Sequence, residues 1–586
     1  MEPGSDVDVE LGTQTPTGAH PTGAVPDRVQ RRTERVSPTR TRAGGSSWWS
    51  VGAVVGTVAF FVTMASLWLN RPGLYMDETI YVHAALRGHF PHQLYVYKRL
   101  GGVPILLLSY LGTVKALLFA PVFAVWGVSV ETIRIPAIVI SASTLVVAYF
   151  LGREVIGRWG AVFVVLLGTC PTFIVMSKVD WGPTVVAMAL TIWLLLAFYR
   201  YLHTARIGWL WALFAIALLG LWDKQNFVWL IVGVGIGGIA VYHRRLWELV
   251  RGRPTGTLVA AGSFLVGILL GLPLVLPNVT GHGTSSLQDP LPHLAFAWAL
   301  YQRTAGYSEV ISFFTGHTVV QPVWMDLQWL FALAALVVLA LRRRRGPLPP
   351  RALVPARAAL FFLLVFVVLL IEIAGTTQAT GPQHVIELVP YAPLVLLCSV
   401  VAVSNSGATF QMSSTVIAAL GVGVIMATQV VATTQYMALL GDPGRFRPVV
   451  STAVYQDATY LNANAGGADE VVSAGWGPGL PLFSLACPND RHKYRDDLWA
   501  GFVGLTPATA PTAVRELFGG RRVLLVSVHD VTQAGLPPNL YANTRLLETA
   551  YRSVFPSRHP TRVLTTGAYD ITYFGPSPFR PGHADC

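Results

Sequence analysis

The stretch VGAVVGTVAFFVTMASLWLNRPGLYMDET, residues 51–79, places an apolar run directly before a pair of carboxylates. Val51–Leu69 is apolar and long enough to cross a bilayer, which takes roughly 20 such residues. Asp77 and Glu78 follow at the membrane surface, where carboxylates are costly and usually serve a function. Asp77 is either catalytic or the N-cap of a short helix over Glu78–Leu86, and both roles are compatible because a cap fixes the direction of its side chain.

The composition is that of a membrane protein with many spans. Of the 586 residues, 53% are hydrophobic and only 12% are charged, against about 25% charged in soluble proteins. The net charge of +12 would suit a nucleic-acid partner. The basic residues cluster at the ends of apolar segments, however, which indicates that they orient the chain in the membrane. We therefore expect the lipid bilayer, and no nucleic acid, among the partners.

The four Cys residues do not indicate a metal site or a disulfide scaffold, because they contain no CxxC pair. Cys170 and Cys398 lie in apolar segments, where packing is the expected role. Cys487 and Cys586 could pair only if the C-terminal region faces an oxidising compartment.

Apolar segments predict about eleven membrane crossings. After Val51–Leu69, the predicted spans cover residues 133–151, 160–176, 183–199, 207–222, 226–242, 256–276, 323–341, 358–375, 385–403 and 413–433. Residues 1–46 are rich in Pro, Thr, Gly and Arg and predict a disordered tail, whose basic second half favours the cytoplasm. Residues 47–440 then form the membrane domain.

The apolar stretch Val103–Trp126 decides the orientation. If it crosses, the Arg-rich loops near residues 153–158, 200–206, 244–253 and 342–345 all face away from the basic tail. If it does not cross, every one of them is cytoplasmic, as the positive-inside rule requires. We therefore predict a juxtamembrane helix within a large outer loop, 71–132, and a second outer loop, 278–322. This topology puts Asp180, Asp223, Lys224 and His384 on the same outer face as Asp77.

Residues 441–586 are polar and predict a small extracytoplasmic α/β domain. Strands are expected at Glu470–Ser473, Arg522–Val528 and Ala568–Phe574, with a helix at Thr512–Phe518. The region contains no nucleophile elbow, P-loop or zinc spacing. It either binds the acceptor or covers the outer cavity.

The order of the motifs resembles the GT-C polyprenyl-phosphate-dependent glycosyltransferases of family 39, which includes protein O-mannosyltransferases and the lipid A aminoarabinose transferase. The matching stretches are Met76-Asp77-Glu78, Tyr110–Lys115, Trp126–Ser129, Arg134-Ile135-Pro136, Gly152-Arg153-Glu154, Asp180–Pro183, Leu221–Lys224 and Gly381–His384. The resemblance covers residues 50–245 well, weakens through 278–440 and does not extend to 441–586. Better-known members carry a Lys-Pro-Pro where this chain has Tyr97-Lys98-Arg99-Leu100-Gly101-Gly102.

The resemblance implies sugar transfer from a polyprenyl-phosphate sugar to an acceptor hydroxyl on the outer face of the cell membrane, with inversion. Asp77 would be the general base, and Glu78 or Asp180 would orient the base or the acceptor. Donor-phosphate cations would come from Lys98, Arg99, Lys115 and Lys224, and further acceptor or carboxylate groups from Asp180, Asp223 and His384. For Asp223 and Lys224, a local ion pair is the alternative.

Several properties stay open at this point. The sugar could be mannose, arabinose or another, and the acceptor a protein, a lipid or a glycan. Two carboxylates could also ligate a divalent metal or work without one. The competing functions are a transporter or flippase of a lipid-linked sugar, and a receptor whose outer domain is the functional part.

Overall fold

The computed structural model describes residues 48–86, 98–108, 110–279, 290–317, 323–376, 381–407, 411–530, 532 and 540–582. The predicted tail, 1–46, lies outside the described residues, as do parts of both predicted outer loops and Cys586. Cys487 is disulfide-bonded, while Cys170 and Cys398 are free and buried.

The first elements carry the carboxylate pair and the juxtamembrane segment. They are α1 (Trp48–Ser66), α2 (Met76–Ala85), β1 (Lys98–Leu100), β2 (Val103–Leu106) and α3 (Val114–Trp126). Strands β1 and β2 form an antiparallel hairpin. With 13 residues, α3 is only about 20 Å long. It is therefore too short to cross a hydrocarbon core of about 30 Å, in agreement with the predicted juxtamembrane helix.

Helices cover every predicted span. They are α4 (Val130–Ile156), α5 (Gly160–Gly168), α6 (Pro171–Lys178), α7 (Thr184–Thr204), α8 (Ile207–Asp223), α9 (Phe227–Gly252), α10 (Pro254–Val279), α11 (Pro290–Ala305), α12 (Ser308–Thr315), α13 (Trp324–Arg345), α14 (Pro350–Ala374), α15 (Pro382–Val385), α16 (Tyr391–Ser404) and α17 (Gln411–Leu440). The predicted span 160–176 is broken between α5 and α6, where Pro171 lacks the N–H that would continue the ladder.

Among the described residues, 9 helical segments are long and apolar enough to cross a membrane. The longest of them, Val130–Gly168, holds one predicted span and the first half of the next. The apolar helix Ile207–Asp223, of 17 residues, is shorter than the other candidates. The chain is therefore a multi-pass membrane protein.

The Arg-rich loops contact one another. Glu154 pairs with Arg200 at 2.8 Å and with His203 at 3.0 Å. Arg245 Nε donates to the Leu202 carbonyl at 3.1 Å. Two further loops meet where Arg342 donates to the Ser406 carbonyl at 2.8 Å. Because these contacts join the loops that were assigned to the cytoplasm, they agree with a shared face for the basic residues.

The C-terminal region contains a five-stranded sheet with helices. Its elements are α18 (Ala453–Asn464), β3 (Glu470–Ser473), α19 (Gly479–Leu485), β4 (Tyr494–Arg495), α20 (Trp499–Val503), α21 (Ala510–Phe518), β5 (Val523–Val528), α22 (Thr544–Val554), β6 (Thr561–Thr565) and β7 (Tyr569–Phe574). The strand order is β4-β3-β5-β7-β6. β3 runs parallel to β4 and β5, whereas β7 is antiparallel to its neighbours.

All three predicted strands and the predicted helix are present, with ends shifted by at most two residues. The sequence did not predict the edge strands β4 and β6, because β4 has only 2 residues and β6 is largely exposed without a clean alternation.

The C-terminal region packs on the membrane bundle as part of one compact unit. The Gly73 N–H, just before α2, donates to the Val450 carbonyl at 2.7 Å. A side chain at Gly73 would collide with the Ser451 carbonyl, so glycine permits this close approach. Arg447 N–H donates to the Phe314 carbonyl at 2.8 Å. The segment that leads to the carboxylate pair is therefore attached to the C-terminal region.

Candidate active site

Helix α2 carries Asp77 in its first turn. Tyr75 is extended (φ −103°, ψ 154°) and is the N-cap, so the helix begins at Met76. The Tyr75 N–H donates to Glu78 Oε1 at 3.0 Å. The prediction that Asp77 caps a helix starting at Glu78 is therefore wrong, because the side chain that bonds across the helix start belongs to Glu78. Asp77 projects from the positive end of the helix, which favours its ionised form.

Asp77 lines a cavity of about 180 Å³. The wall combines one carboxylate, one ammonium group, an imidazole and three large aromatic side chains: Asp77, Lys224, His384, Tyr110, Trp181 and Trp476, with Met76, Ile80, Leu108, Leu111, Gly182, Pro183 and Gln383 completing it. These residues come from six parts of the chain: the start of α2, the β2–α3 connection, the α6–α7 loop, the α8–α9 loop, α15 and the C-terminal region. A mainly apolar wall with a few convergent polar groups is typical of a binding site.

Burial raises the pKa of the Asp77 carboxyl to about 6. The positive charges of Lys115 and Lys224 and a hydrogen bond from the Trp181 side chain oppose this shift, so the carboxyl is still mostly ionised at neutral pH. A carboxylate with a pKa near the working pH is a better proton acceptor than an ordinary surface aspartate. Burial therefore makes the Asp77 carboxylate more basic than a surface aspartate.

Glu78 does not line the cavity. Its two carboxylate oxygens accept hydrogen bonds of 2.8 Å from Arg134 Nε and Nη2, and both side chains are buried. Arg134 also donates to the carbonyls of Leu69 and Pro72, at 2.6 and 2.9 Å. The structure thus separates the adjacent carboxylates, since Asp77 faces the cavity and Glu78 joins α2 to α4.

Lys115 and Asp180 form a buried ion pair, with Nζ 2.8 Å from Oδ2. Lys115 also donates to the Gly182 carbonyl at 3.0 Å and lies over the Tyr81 ring, 4.6 Å from its centre. The other Asp180 oxygen accepts from Thr184 Oγ1 and the Val185 N–H, at 2.8 and 3.0 Å, and thereby holds the start of α7. Neither side chain is part of the cavity wall, although the Lys115 charge acts on Asp77.

Lys224 lies in the cavity wall, and its Nζ donates to the Gln383 carbonyl at 2.6 Å. The Gly112 N–H donates to the backbone carbonyl of Asp223 at 3.0 Å, which ties the segment before α3 to the end of α8. The Asp223 carboxylate is fully buried, and neither oxygen has a hydrogen-bond partner among the described residues. The alternative prediction of a local ion pair between Asp223 and Lys224 therefore does not hold in the described part of the chain.

The other two predicted cations lie in the β1–β2 hairpin. Lys98 and Arg99 belong to strand β1, and neither is part of the described cavity wall. The exposed Arg99 donates to the Gly102 carbonyl at 3.3 Å within the hairpin. In the described chain, Lys224 is the predicted donor-phosphate cation that reaches the cavity, and His384 joins it there.

Three important side chains were not predicted. Trp181 and Arg134 lie inside motifs that the sequence had marked, but nothing local indicated that one contacts Asp77 and the other Glu78. Trp476 comes from the C-terminal region, where the sequence offered no functional signal. As for a metal, no group of three or more His, Cys, Asp or Glu side chains in the described parts of the chain is placed to hold one.

Comparison with known proteins agrees with this architecture. ArnT from Cupriavidus metallidurans bound to undecaprenyl phosphate superposes with a TM-score of 0.56 at 14% identity, covering 91% of this chain and 100% of ArnT. The apo form gives a TM-score of 0.55 at 13% identity with the same coverage. The Archaeoglobus fulgidus oligosaccharyltransferase gives a TM-score of 0.50 at 12% identity, covering 82% of this chain and 70% of that enzyme.

The chain has the GT-C fold. Residues 113–280 also match the family model described as dolichyl-phosphate-mannose-protein mannosyltransferase. No curated protein sequence matches the chain. The GT-C resemblance predicted from the ordered motifs is therefore confirmed at the level of the fold, and the matched residues include Lys115, Asp180 and Lys224.

Proposed function

We propose that this GT-C protein is a membrane glycosyltransferase that moves a sugar from a polyprenyl-phosphate donor to an acceptor hydroxyl on the outer face. The observation that carries the proposal is Asp77, a carboxylate with a raised pKa, in the same cavity wall as the Lys224 ammonium group. A base and a phosphate-binding cation are the two groups that this reaction requires. ArnT bound to undecaprenyl phosphate, a solved structure with the same fold, supports the lipid class of the donor.

The reaction is a single displacement at the anomeric carbon. The acceptor oxygen forms a bond to this carbon while the bond from the carbon to the phosphate oxygen breaks. The electron pair of the breaking bond stays on the phosphate, and the hydroxyl proton passes to Asp77, which later releases it to water. One displacement inverts the anomeric configuration. The reaction needs no nucleotide, so the absence of a Gly-rich phosphate loop from the sequence is no obstacle.

The donor phosphate would bind at Lys224. Its ammonium group is fixed by the Gln383 carbonyl, and a fixed cation stabilises the negative charge that develops on the leaving phosphate. Lys115 adds positive potential from behind the wall, although its own ion pair with Asp180 limits direct contact with a ligand. His384 stays a candidate for acceptor contacts and the buried Asp223 for a second carboxylate, while Lys98 and Arg99, outside the described cavity wall, are the alternative to Lys224 as the phosphate-binding cations.

Glu78 and Asp180 act in this proposal as positioning residues. Glu78 holds α2 through Arg134, and Asp180 holds α7 and Lys115, so each fixes an element that bears a group of the cavity. The proposed orientation puts the N-terminus in the cytoplasm and residues 441–586 outside. The acceptor is a protein, a lipid or a glycan, and the sugar is a hexose or a pentose.

Purified protein in vesicles, supplied with radiolabelled polyprenyl-phosphate sugars and cell-envelope acceptors, tests the proposal. We expect labelled product with the wild-type chain and a loss of about 10²–10⁴-fold with Asp77→Asn, because general-base catalysis contributes that much. Asp442→Asn, at an exposed aspartate paired with Arg445, is the matched control and should keep full activity. Movement of the donor across the vesicle without any transfer would instead support a flippase.

A further inference from the structure

The C-terminal region contributes one side chain to the wall of the Asp77 cavity. Among the described lining residues, Trp476 alone comes from beyond α17, and it faces a space that also contains Asp77 and Lys224. It is half-buried, so part of the indole is available to a ligand. The role of the C-terminal region, which the sequence left open, is therefore connected with the site itself.

Trp476 occupies the position in the sheet where α/β folds bind ligands. It follows β3, which pairs in parallel with β4 and β5, and it lies beyond the carboxyl end of that strand. The crevice outside the carboxyl ends of parallel strands is where ligands bind in open α/β sheets. Here that crevice opens onto the membrane bundle, because the cavity wall consists otherwise of bundle residues.

The backbone around Trp476 is fixed on both sides. Its N–H donates to the Leu540 carbonyl at 3.0 Å, and the Ala542 N–H donates to the Ala474 carbonyl at 2.8 Å. The next residue, Gly477, has φ +114°, a conformation that side chains rarely permit. The chain can therefore turn sharply after Trp476 and enter α19. A backbone held in this way loses little conformational freedom when a ligand binds to the indole.

Helix α19, which begins directly after this turn, also packs on α2. The rings of Phe483 in α19 and His83 in α2 have their centres 3.6 Å apart. Asp77 lies at the other end of α2. Trp476 lies just before α19 and Asp77 lies in α2. Because these two helices pack together, the relative position of Trp476 and Asp77 is set by the fold.

We propose that Trp476 is a specificity-determining residue that supports the sugar ring bound beside Asp77. This inference rests on the proposed function, because it assigns the saccharide to the same cavity. One face of a sugar ring presents mainly C–H groups, and an indole offers a large, flat apolar surface to them. The ring hydroxyls on the other side would then meet the polar groups of the wall, including Asp77 and His384.

The test compares Trp476→Ala and Trp476→Phe with Trp499→Ala. Trp499 is a half-buried tryptophan of the same region outside the described cavity wall, so its replacement is the matched control. Methyl glycosides of mannose, glucose and arabinose are the probes, and binding to the full-length protein is measured by saturation-transfer NMR. Undecaprenyl phosphate titration shows whether each variant is folded, because its phosphate would bind at Lys224 and not at Trp476.

We expect at least one glycoside to bind the wild-type protein and Trp499→Ala. Trp476→Ala should bind it about tenfold more weakly or not at all, as is typical when an aromatic anchor is truncated. Trp476→Phe should keep part of the affinity, and all variants should bind undecaprenyl phosphate equally. Unchanged glycoside binding by Trp476→Ala, or no glycoside binding by the wild-type protein, would overturn the inference.

Sugar transfer by the same variants separates this inference from the proposed function. If the wild-type protein transfers sugar and Trp476→Ala does so with unchanged kcat/KM, the function stands and the assignment of Trp476 is wrong. If glycoside binding depends on Trp476 but the wild-type protein transfers nothing, the saccharide site stands and the proposed reaction is wrong.

Discussion

Arg134 donates hydrogen bonds of 2.8 Å to both carboxylate oxygens of Glu78, in a site where both side chains are buried. The same guanidinium group donates to the carbonyls of Leu69, Pro72 and Gly73. Arg134 therefore binds the end of the first span, the connection after it and helix α2 at once. The geometry of Asp77 depends on this arrangement, because Asp77 precedes Glu78 on the same helical turn.

Glu78→Gln should destabilise the protein strongly. The substitution leaves the Arg134 charge buried without its partner, and breaking a buried pair in this way typically costs about 3–5 kcal/mol. Thermal unfolding in detergent measures the loss. Glu248→Gln, which breaks the exposed Arg245–Glu248 pair, is the control and should cost less than about 1 kcal/mol.

The pH profile of Glu78→Gln distinguishes positioning from catalysis. Because the negative charge of Glu78 raises the pKa of Asp77, its removal should move the acidic midpoint of residual transfer to lower pH. Loss of the acidic limb altogether would mean that Glu78, and not Asp77, is the titrating base.

Transfer by the wild-type protein should fall as the pH drops through about 6, because burial raises the pKa of Asp77 to that value. Above this pH the carboxylate can accept a proton, and below it the protonated carboxyl cannot. The rate should decrease about tenfold for each further pH unit on the acidic side. A profile of kcat/KM between pH 4.5 and 8 checks this, and a flat profile would contradict the assignment of Asp77 as the base.

Lys224→Met should weaken undecaprenyl phosphate binding by about 1.5–3 kcal/mol, the range for a hydrogen bond to a charged group. The methionine keeps the length of the side chain but removes the charge. Because the Lys224 charge lowers the pKa of Asp77, the acidic midpoint of transfer should also move to higher pH. Donor titration and the pH profile measure the two effects.

Arg99→Ala, at an exposed residue of the β1–β2 hairpin, is the comparison for Lys224→Met. We expect it to leave phosphate binding within a factor of about two, as for a surface substitution, because Arg99 is exposed and is not part of the described cavity wall. If Arg99→Ala weakens binding more than Lys224→Met does, the phosphate site lies at the hairpin and not in the cavity.

The orientation in the membrane predicts opposite labelling of two exposed positions. Thr549→Cys lies in the C-terminal region, and Arg344→Cys lies in an Arg-rich loop. An impermeant maleimide should label the first in intact cells and the second only after permeabilisation, because Arg-rich loops stay in the cytoplasm. The native Cys170 and Cys398 are buried and should stay unlabelled. Protection of Thr549→Cys in intact cells would reverse the proposed orientation.

The sequence alone determined the membrane class, the helical spans and the juxtamembrane helix. Each depends on features that are local in the chain: the length of an apolar run, a proline, or a basic cluster at its end. The strands Glu470–Ser473 and Val523–Val528 were predictable for the same reason, since each contains consecutive apolar residues that are buried on both faces of the sheet. Asp77 was also marked by its local position, directly after the first span.

Only the tertiary structure decided which contacts the marked residues make. Asp77 and Glu78 are neighbours in sequence but have different partners, because successive helical residues point in different directions. Lys115 and Lys224 were both predicted to bind the donor phosphate. In the structure, Lys115 forms an ion pair with Asp180, whereas Lys224 lines the cavity. Trp476 lines the cavity although it belongs to the C-terminal region, in which the sequence showed no functional motif. These contacts join positions that are distant in the chain, and a burial-dependent pKa such as that of Asp77 exists only once such packing has excluded water.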